Sequence, residues 1–241
     1  MAMLSKARID ILVSGTFSEE AAERGAALFA EKLGARGAGY PETTRKAAGE
    51  VKYVEDHEDV LQGKLAIGYR TDVDPFGRDV YALSIYNRVF GGGTSSKLFN
   101  NVREKMSLCY YCSSRPNALK GIMTIASGIE VDNFEKAKDA ILDQINALKE
   151  GDISDFEIES AKKSLINAYK ELTDSPSGLV SWYLTRSFAD RNDSPEEVAQ
   201  KILSVTKEEL IASAARLSLD TVYFLKGTLD ANDIDEDEDD E

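Results

Sequence analysis

The sequence predicts an α+β fold, in which one largely antiparallel or mixed sheet carries its helices on one face. Two observations support this class. Short β-branched and apolar runs occur near both ends of the chain and around its middle, where two of them flank a turn-rich segment typical of a hairpin. Residues 131–217, in contrast, show helical periodicity with recurrent capping residues. Strands grouped apart from a run of helices are typical of α+β domains.

The amino-terminal part of the chain predicts a strand, a helix and two further strands. Residues 9–13 form a β-branched run, and residues 19–33 place apolar side chains at helical spacing. After a glycine-rich loop, residues 51–54 and 65–69 have strand character, and we expect the second of these inside the sheet. The polar segment between them contains His57, which we therefore expect in a solvated connection.

A glycine turn follows a predicted helix that starts near Asp79 and ends at Phe90. Gly91, Gly92 and Gly93 lack a Cβ atom, so the backbone there can adopt positive φ and another chain can approach closely. Two interpretations stay open for this turn. It is either a simple tight turn or a stretch of backbone that faces a bound substrate.

The turn leads into a second predicted helix, residues 96–105, which delivers Arg103 near its end. Apolar residues recur at helical spacing along it, and hydroxyl side chains stand where an N-cap is needed. The candidate caps are Thr94, Ser95 and Ser96.

The next run, residues 108–114, predicts a strand that contains the chain's two cysteines. Alternation along a strand places Tyr110 and Cys112 on one face and Cys109 and Tyr111 on the other. We therefore expect two separate free thiols, with a redox C-x-x-C motif as the alternative.

The remaining elements are a second hairpin strand, several helices and a last strand. Residues 122–129 should pair antiparallel with the preceding strand, and residues 221–225 close the fold. Four helix starts are marked by capping-box spacing or by proline at the first helical position. These are Ser154 with Glu157, Thr206 with Glu209, Ser175-Pro176 and Ser194-Pro195.

The charge is concentrated at one end. The net charge is −14, but nine of the last twelve residues, 230–241, are acidic. We expect residues 1–229 to form one domain and the tail to be solvated and disordered, with an acidic docking segment as the alternative. The composition argues against nucleic-acid binding. No apolar run approaches the roughly 20 residues of a membrane span, so we expect a cytoplasmic protein.

The stretch from Phe90 to the tyrosine seven residues after Arg103 resembles a known family. Its glycine turn, Ser, basic residue, Leu-Phe and Arg-Glu-Lys resemble the pitrilysin/insulinase-type zinc peptidases, in the branch that includes the mitochondrial processing peptidase. The resemblance implies the zinc-free half of such an enzyme. It also implies that Arg103 and Tyr110 reach carbonyl oxygens of the cleaved peptide. The sequence departs from the family pattern at Ser107, where glycine is usual, and at Lys97, where arginine is usual.

The zinc site of this family requires an H-x-x-E-H motif on a helix. The chain has one histidine, His57, so we expect no metal site in it and a zinc supplied by a partner half or subunit. Three interpretations follow: a zinc-free peptidase half that acts on a peptide substrate with that partner or as a homodimer, an inactive homologue that serves as a peptide-binding scaffold, and an unrelated assembly domain.

Overall fold

The computed structural model describes residues 9–33, 46–75, 77–188 and 191–229. The chain divides into two compact units. One comprises Met1–Thr44 and Ile166–Gln200, and the other comprises Arg45–Leu165 and Lys201–Glu241. The acidic tail lies outside the described residues, and both its disorder and the single domain over residues 1–229 stay predictions.

The second unit contains a five-stranded mixed sheet in the order β1-β5-β2-β4-β3. β1 runs parallel to β5, and the other neighbouring pairs are antiparallel. The predicted hairpin is confirmed, and so is the position of the strand predicted over residues 65–69 inside the sheet. The α+β class is confirmed as well. The strands are β1 (Lys52–Glu58), β2 (Gly63–Arg70), β3 (Tyr111–Asn117), β4 (Ile122–Ile129) and β5 (Ser218–Gly227).

Seven α-helices occur in the part of the chain that the structure describes, and a π-helical segment precedes β3. Their bounds are α1 (Glu19–Leu33), α2 (Asp79–Phe90), the π-helical segment (Leu98–Lys105), α3 (Phe134–Lys149), α4 (Asp155–Thr173), α5 (Pro176–Ser187), α6 (Pro195–Leu203) and α7 (Lys207–Ala215). A 3₁₀ turn, Val131–Asn133, joins β4 to α3.

The sheet buries one face under the helices of its unit. Every second residue of β2 is buried, including Leu65 and Ile67, whereas Lys64 between its buried neighbours is exposed. Phe134 at the start of α3 stacks on Phe224 of β5, with ring centroids 4.3 Å apart. Each fully buried aliphatic side chain contributes about 1.5–3 kcal/mol to folding. The strand alternation thus fixes which face the helices cover.

All four predicted helix starts are confirmed. The Ser154 and Thr206 hydroxyls each accept the backbone N–H three residues on, and the glutamates at those positions accept the cap N–H in return. α5 and α6 begin at the predicted prolines. These reciprocal bonds satisfy donors that a helix leaves without partners.

Two local predictions are wrong. Residues 9–13 lie in an irregular segment, because none of the five described strands pairs with them. His57 belongs to β1 rather than to a connection, because its backbone pairs with Lys226 of β5. β1 is an edge strand whose side chains are all exposed, so its polar sequence is compatible with the ladder.

Candidate functional site

The glycine turn joins α2 to β3 through a close backbone contact. The Ser114 N–H donates to the Gly91 carbonyl at 3.0 Å, and Gly91 is buried. A Cβ atom on Gly91 would lie 2.5 Å from the Ser114 Oγ and 2.7 Å from a Leu98 methyl group. The φ angle of Gly91 is −151°, and none of the three glycines has positive φ. The predicted positive φ is therefore wrong, and the close approach is made by the chain itself.

The rest of the glycine turn is held by a side chain of α2. The Arg88 guanidinium donates to the Gly92 carbonyl and to the Ser164 hydroxyl of α4. Gly93 is exposed, and its nearest side-chain neighbour is again Arg88. Contact of Gly91, Gly92 and Gly93 with a substrate stays a prediction.

The segment that delivers Arg103 is π-helical, whereas the sequence predicted an ordinary helix. Ser96 caps it, since its hydroxyl accepts the Phe99 N–H at 3.3 Å. Leu98 and Val102 are buried, and these anchors leave Arg103 half-exposed with its guanidinium 4.8 Å from the centre of the Phe99 ring. Wide π turns are frequent at functional sites because they change where a side chain points.

Ser107 ends this segment with a reversal of the backbone. Its φ angle is +52°, in the left-handed region that an L-residue other than Asn or Asp rarely adopts. The Leu108 N–H then donates to the Val102 carbonyl at 3.2 Å. The reversal sends the chain back past Arg103 toward β3, and it occurs where the family pattern usually has glycine.

Arg103 and Tyr110 lie together, and their contact with a substrate carbonyl stays a prediction. The Arg103 Nε donates to the backbone carbonyl of Tyr110 at 2.8 Å, and its Nη1 lies 3.1 Å from the Glu104 carboxylate. The Tyr110 N–H donates to the Gly128 carbonyl of β4 at 2.8 Å. The guanidinium is thus held by the main chain of Tyr110, whose side chain is half-exposed.

Both residues line an open cavity of about 410 Å³. A second cavity of about 480 Å³ shares Tyr110 and Glu130 with the first. The first is lined by Arg103, Glu104, Ser107, Leu108, Cys109, Tyr110, Glu130 and Asn133. The basic Arg103, the phenolic Tyr110 and the acidic Glu130 therefore line one open cavity.

Glu130 and Asn133 were missed by the sequence analysis. They directly follow β4, whose end pairs with the beginning of β3 at Gly128 and Tyr111. The predicted antiparallel hairpin would have placed them beside Tyr110, because the end of one strand in a hairpin adjoins the start of the other.

The strand prediction misplaced Cys109 and Tyr110. β3 begins at Tyr111 and the chain bends at Tyr110, so strand alternation does not reach back to these residues. Tyr110 is 47% exposed, whereas Cys112, expected on the same face, is buried. Both cysteines are free thiols, as predicted, with Cys109 half-buried and Cys112 buried.

The surroundings of the two cysteines shift their acidity in opposite directions. The hydrogen bond from Cys112, helped by one from Ser127 and by the positive charge of Arg103, outweighs burial and lowers the pKa of the Cys109 thiol to about 7. The same contact, together with burial, raises the pKa of the Cys112 thiol far above its ordinary value. Cys109 is therefore the more acidic of the two thiols.

No metal site is formed by the described residues, which contain no group of three or more His, Cys, Asp and Glu side chains able to hold an ion. His57 is exposed, and its imidazole lies 3.2 Å from the Glu55 carboxylate. The residues described thus do not fit the zinc of a metallopeptidase. No helix in the described ranges is both long and apolar enough to cross a membrane.

A five-stranded mixed sheet with helices on one face is consistent with the fold of a zinc-free peptidase half. The chain belongs to the family of peptidase M16 inactive domains, whose model matches residues 1–165. It is a non-catalytic half of this peptidase family, as the sequence predicted.

Known relatives agree with this assignment. The chain is 45% identical over 177 residues to a protein of Bacillus subtilis (strain 168) named probable inactive metalloprotease YmfF, which covers 73% of this chain and 42% of that protein. A conserved protein from Enterococcus faecalis V583 has a similar structure, with a TM-score of 0.79 and 30% identity. The match covers 89% of this chain and 51% of that protein. The peptidase M16 inactive domain from Pseudomonas fluorescens shares the fold, with a TM-score of 0.75 and 19% identity. This match covers 88% of this chain and 52% of that one. The chain therefore spans about half or less of the length of these three proteins.

Proposed function

We propose that this domain completes a peptide-cleaving chamber whose zinc belongs to another half or subunit. In this chamber Arg103 and Tyr110 bind carbonyl oxygens of the peptide substrate. The observation that carries the proposal is their placement: both line one open cavity, and the Arg103 Nε is held 2.8 Å from the Tyr110 carbonyl. This bond fixes the guanidinium without using all of its five N–H donors.

The chemical role follows from charge. The oxygen of a peptide carbonyl becomes more negative as the carbonyl carbon is attacked, so donors already aimed at that oxygen favour the transition state over the ground state. Arg103 supplies a permanent positive charge and Tyr110 a neutral O–H donor. Neither group generates the attacking nucleophile, so this half assists the cleavage and does not start it.

The glycine turn is the second part of the proposal. Gly91 is buried against β3. The exposed Gly93 and its neighbour Gly92 are therefore the glycines that contact a peptide backbone in this proposal. A peptide can approach such backbone closely because no Cβ stands in the way.

An inactive, peptide-binding or scaffold role is the second candidate. The relative that shares 45% identity is itself named a probable inactive metalloprotease. In this role the cavity would bind a peptide or organise a partner, and no cleavage would follow.

Metal analysis and a cleavage assay separate the two roles. The purified chain is compared with its complex with a half that carries H-x-x-E-H, taken from the coding sequence upstream of residue 1 or from a neighbouring gene. The chamber proposal predicts no stoichiometric zinc and no cleavage by the chain alone, together with chelator-sensitive cleavage by the complex. A complex that forms and holds zinc but cleaves no peptide supports the scaffold, and tightly bound zinc in the isolated chain contradicts both.

A further inference from the structure

β1 is an edge strand, and its outer side presents backbone hydrogen-bonding groups. It pairs with β5 on one side, and no described strand lies on the other. The Thr228 N–H donates to the Glu58 carbonyl at 3.0 Å, which continues the ladder between β1 and β5. Because backbone groups alternate sides along a strand, Glu58 points toward β5, and the N–H and C=O groups of Tyr53, Glu55 and His57 point outward. β1 therefore presents the edge that an added strand needs.

The side chains of β1 restrict which strand can be added. All seven are exposed, and Tyr53 is 68% exposed. The strand carries three acidic residues, Glu55, Asp56 and Glu58, and one basic residue, Lys52. Like charges directly opposite each other destabilise a strand pair, so two copies of β1 repel each other. The edge suits instead a strand that has apolar residues to cover Tyr53 and basic residues to meet the acids.

The chain itself contains a segment of this chemistry. Residues 9–13 have strand composition, and the basic residues Lys6 and Arg8 come just before them in the sequence. In the structure, residues 11–13 are irregular and belong to none of the five described strands. Ile11 is 43% exposed and Val13 is 52% exposed. Burial of such apolar side chains in a strand pair would stabilise it.

We propose that residues 9–13 of one copy of the chain add to the outer edge of β1 in a second copy, and that the second copy does the same in return. Each chain has one such segment and one such edge, so a two-fold dimer satisfies both at once. β1 and β3 are opposite edges of the sheet. The cavity around Arg103 lies beside the start of β3, so the strand added to β1 does not occupy it.

Antiparallel pairing suits both the charges and the apolar residues. The two bases precede residues 9–13, and the acids lie toward the end of β1. Opposite chain directions bring these opposite charges to the same end of the pair, whereas parallel directions would bring the bases to Lys52. The antiparallel direction also allows Ile11 to lie opposite Tyr53, where the two exposed side chains cover each other.

This register decides which backbone groups the exchange uses. Since the N–H and C=O groups of Tyr53 point outward, Ile11 opposite it exchanges both backbone hydrogen bonds with it. The next residue, Leu12, then faces Lys52 in a non-hydrogen-bonded pair, in which the Cα atoms lie about 4.5 Å apart. Proline therefore removes a hydrogen bond to β1 at Ile11 but not at Leu12.

The first test is the oligomeric state of the full chain, measured by analytical ultracentrifugation at micromolar concentration. We expect the parent to be a dimer. Ile11→Pro removes one hydrogen bond from each of the two exchanges, so the dissociation constant should rise about tenfold or more. Leu12→Pro is the matched control, because its N–H points away from β1, and it should change the dissociation constant by less than about threefold. A monomeric parent, or equal effects of the two prolines, would overturn the proposal.

A cross-link distinguishes exchange between copies from pairing within one chain. Chains with Leu12→Cys are mixed with chains with Lys52→Cys and oxidised, since the Cα separation expected for this pair suits a disulfide. We expect two chains linked through the two substituted positions, as identified by peptide mass analysis. Arg115→Cys, on the opposite edge strand β3, replaces Lys52→Cys as the control and should not link to Leu12→Cys. Mixed chains that do not link, or a double variant that closes the disulfide within a monomer, contradict the exchange.

Discussion

At the scale of single residues, the site depends on a backbone reversal at Ser107. A left-handed conformation costs an L-residue about 1–2 kcal/mol, and Ser107 adopts it with φ at +52°. The reversal is what brings the Tyr110 carbonyl to the Arg103 Nε. Ser107 thus forms a left-handed turn at a position where the family pattern usually has glycine, a residue that is better suited to this conformation.

Ser107→Gly should therefore stabilise the protein. Relief of the left-handed strain exceeds the extra chain entropy of glycine, so we expect the free energy of unfolding to rise by about 0.5–1 kcal/mol. Denaturant unfolding of the two proteins measures this difference. The same change at Ser113, an exposed residue within β3, should destabilise by a similar amount. A loss of stability in Ser107→Gly would show that the serine side chain contributes more than its backbone costs.

The proximity of Arg103 and Tyr110 was predictable because seven residues and one turn separate them. The placement of Cys109 and Tyr110 was not, because strand alternation was extended back beyond the true start of β3. The position of Glu130 was predictable from the hairpin, because the end of β4 adjoins the start of β3. The proximity of residues close in sequence was thus predicted well. The faces of side chains were predicted poorly where they depended on the residue at which β3 begins.

At the scale of elements, α2 and β3 meet through Gly91. Gly91→Ala should lower the free energy of unfolding by about 1–3 kcal/mol, the usual cost of overpacking, because its Cβ would lie 2.5 Å from the Ser114 Oγ and 2.8 Å from the Ser114 nitrogen. Thermal or denaturant unfolding measures the loss. Gly93→Ala is the matched control, since its nearest neighbour would lie 3.5 Å away in ordinary contact. Equal effects at both positions would refute this explanation of the glycine turn.

The cap of α4 also carries a charge interaction. The Lys97 ammonium, only 10% exposed, lies 3.0 Å from the Glu157 carboxylate, which accepts two hydrogen bonds from Ser154. Burial alone raises the pKa of Glu157, but the bonds from Ser154 and the charge of Lys97 outweigh it, so the net pKa lies below the usual 4.5. Lys97 thus serves the fold at a position where the family usually has arginine.

Glu157→Gln should cost about 1 kcal/mol of stability at pH 7, with part of the cap and the whole ion pair lost. Since the folded pKa is lowered, the contribution of Glu157 is present above pH 4.5 and disappears as the pH falls through the folded pKa. Unfolding curves of parent and variant should therefore converge in acid. Glu197→Gln changes the corresponding cap of α6, where the glutamate has no basic partner among the described residues. It should therefore lower the free energy of unfolding by less than Glu157→Gln does. A difference that is constant from pH 7 to acid would contradict the ion-pair account.

Among the elements, helix starts were predicted best, because their caps are encoded within four residues. The π character of Leu98–Lys105 was not predicted, since its apolar spacing also fits an ordinary helix. Residues 9–13 have strand composition but no partner among the described strands, and composition does not supply one.

At the scale of the whole molecule, the order of strands and helices was enough to predict the fold class, because it restricts how one sheet can be covered. The partner was not predictable beyond its kind. The sequence of one half contains no motif that identifies the surface of the other half. The match also covers only 42% of the length of the Bacillus relative.

The most direct test of the proposed chamber is peptide turnover by the complex with the zinc-bearing half. Arg103→Ala and Tyr110→Phe should each leave folding and complex formation intact and lower turnover about a hundredfold, or roughly 3 kcal/mol, as for loss of one preorganised donor. Tyr111→Phe is the control, because its ring lies against Gly128 and does not line the cavity around Arg103. If Arg103→Ala and Tyr110→Phe both assemble and cleave like the parent and like Tyr111→Phe, the pair is structural and the central claim is wrong.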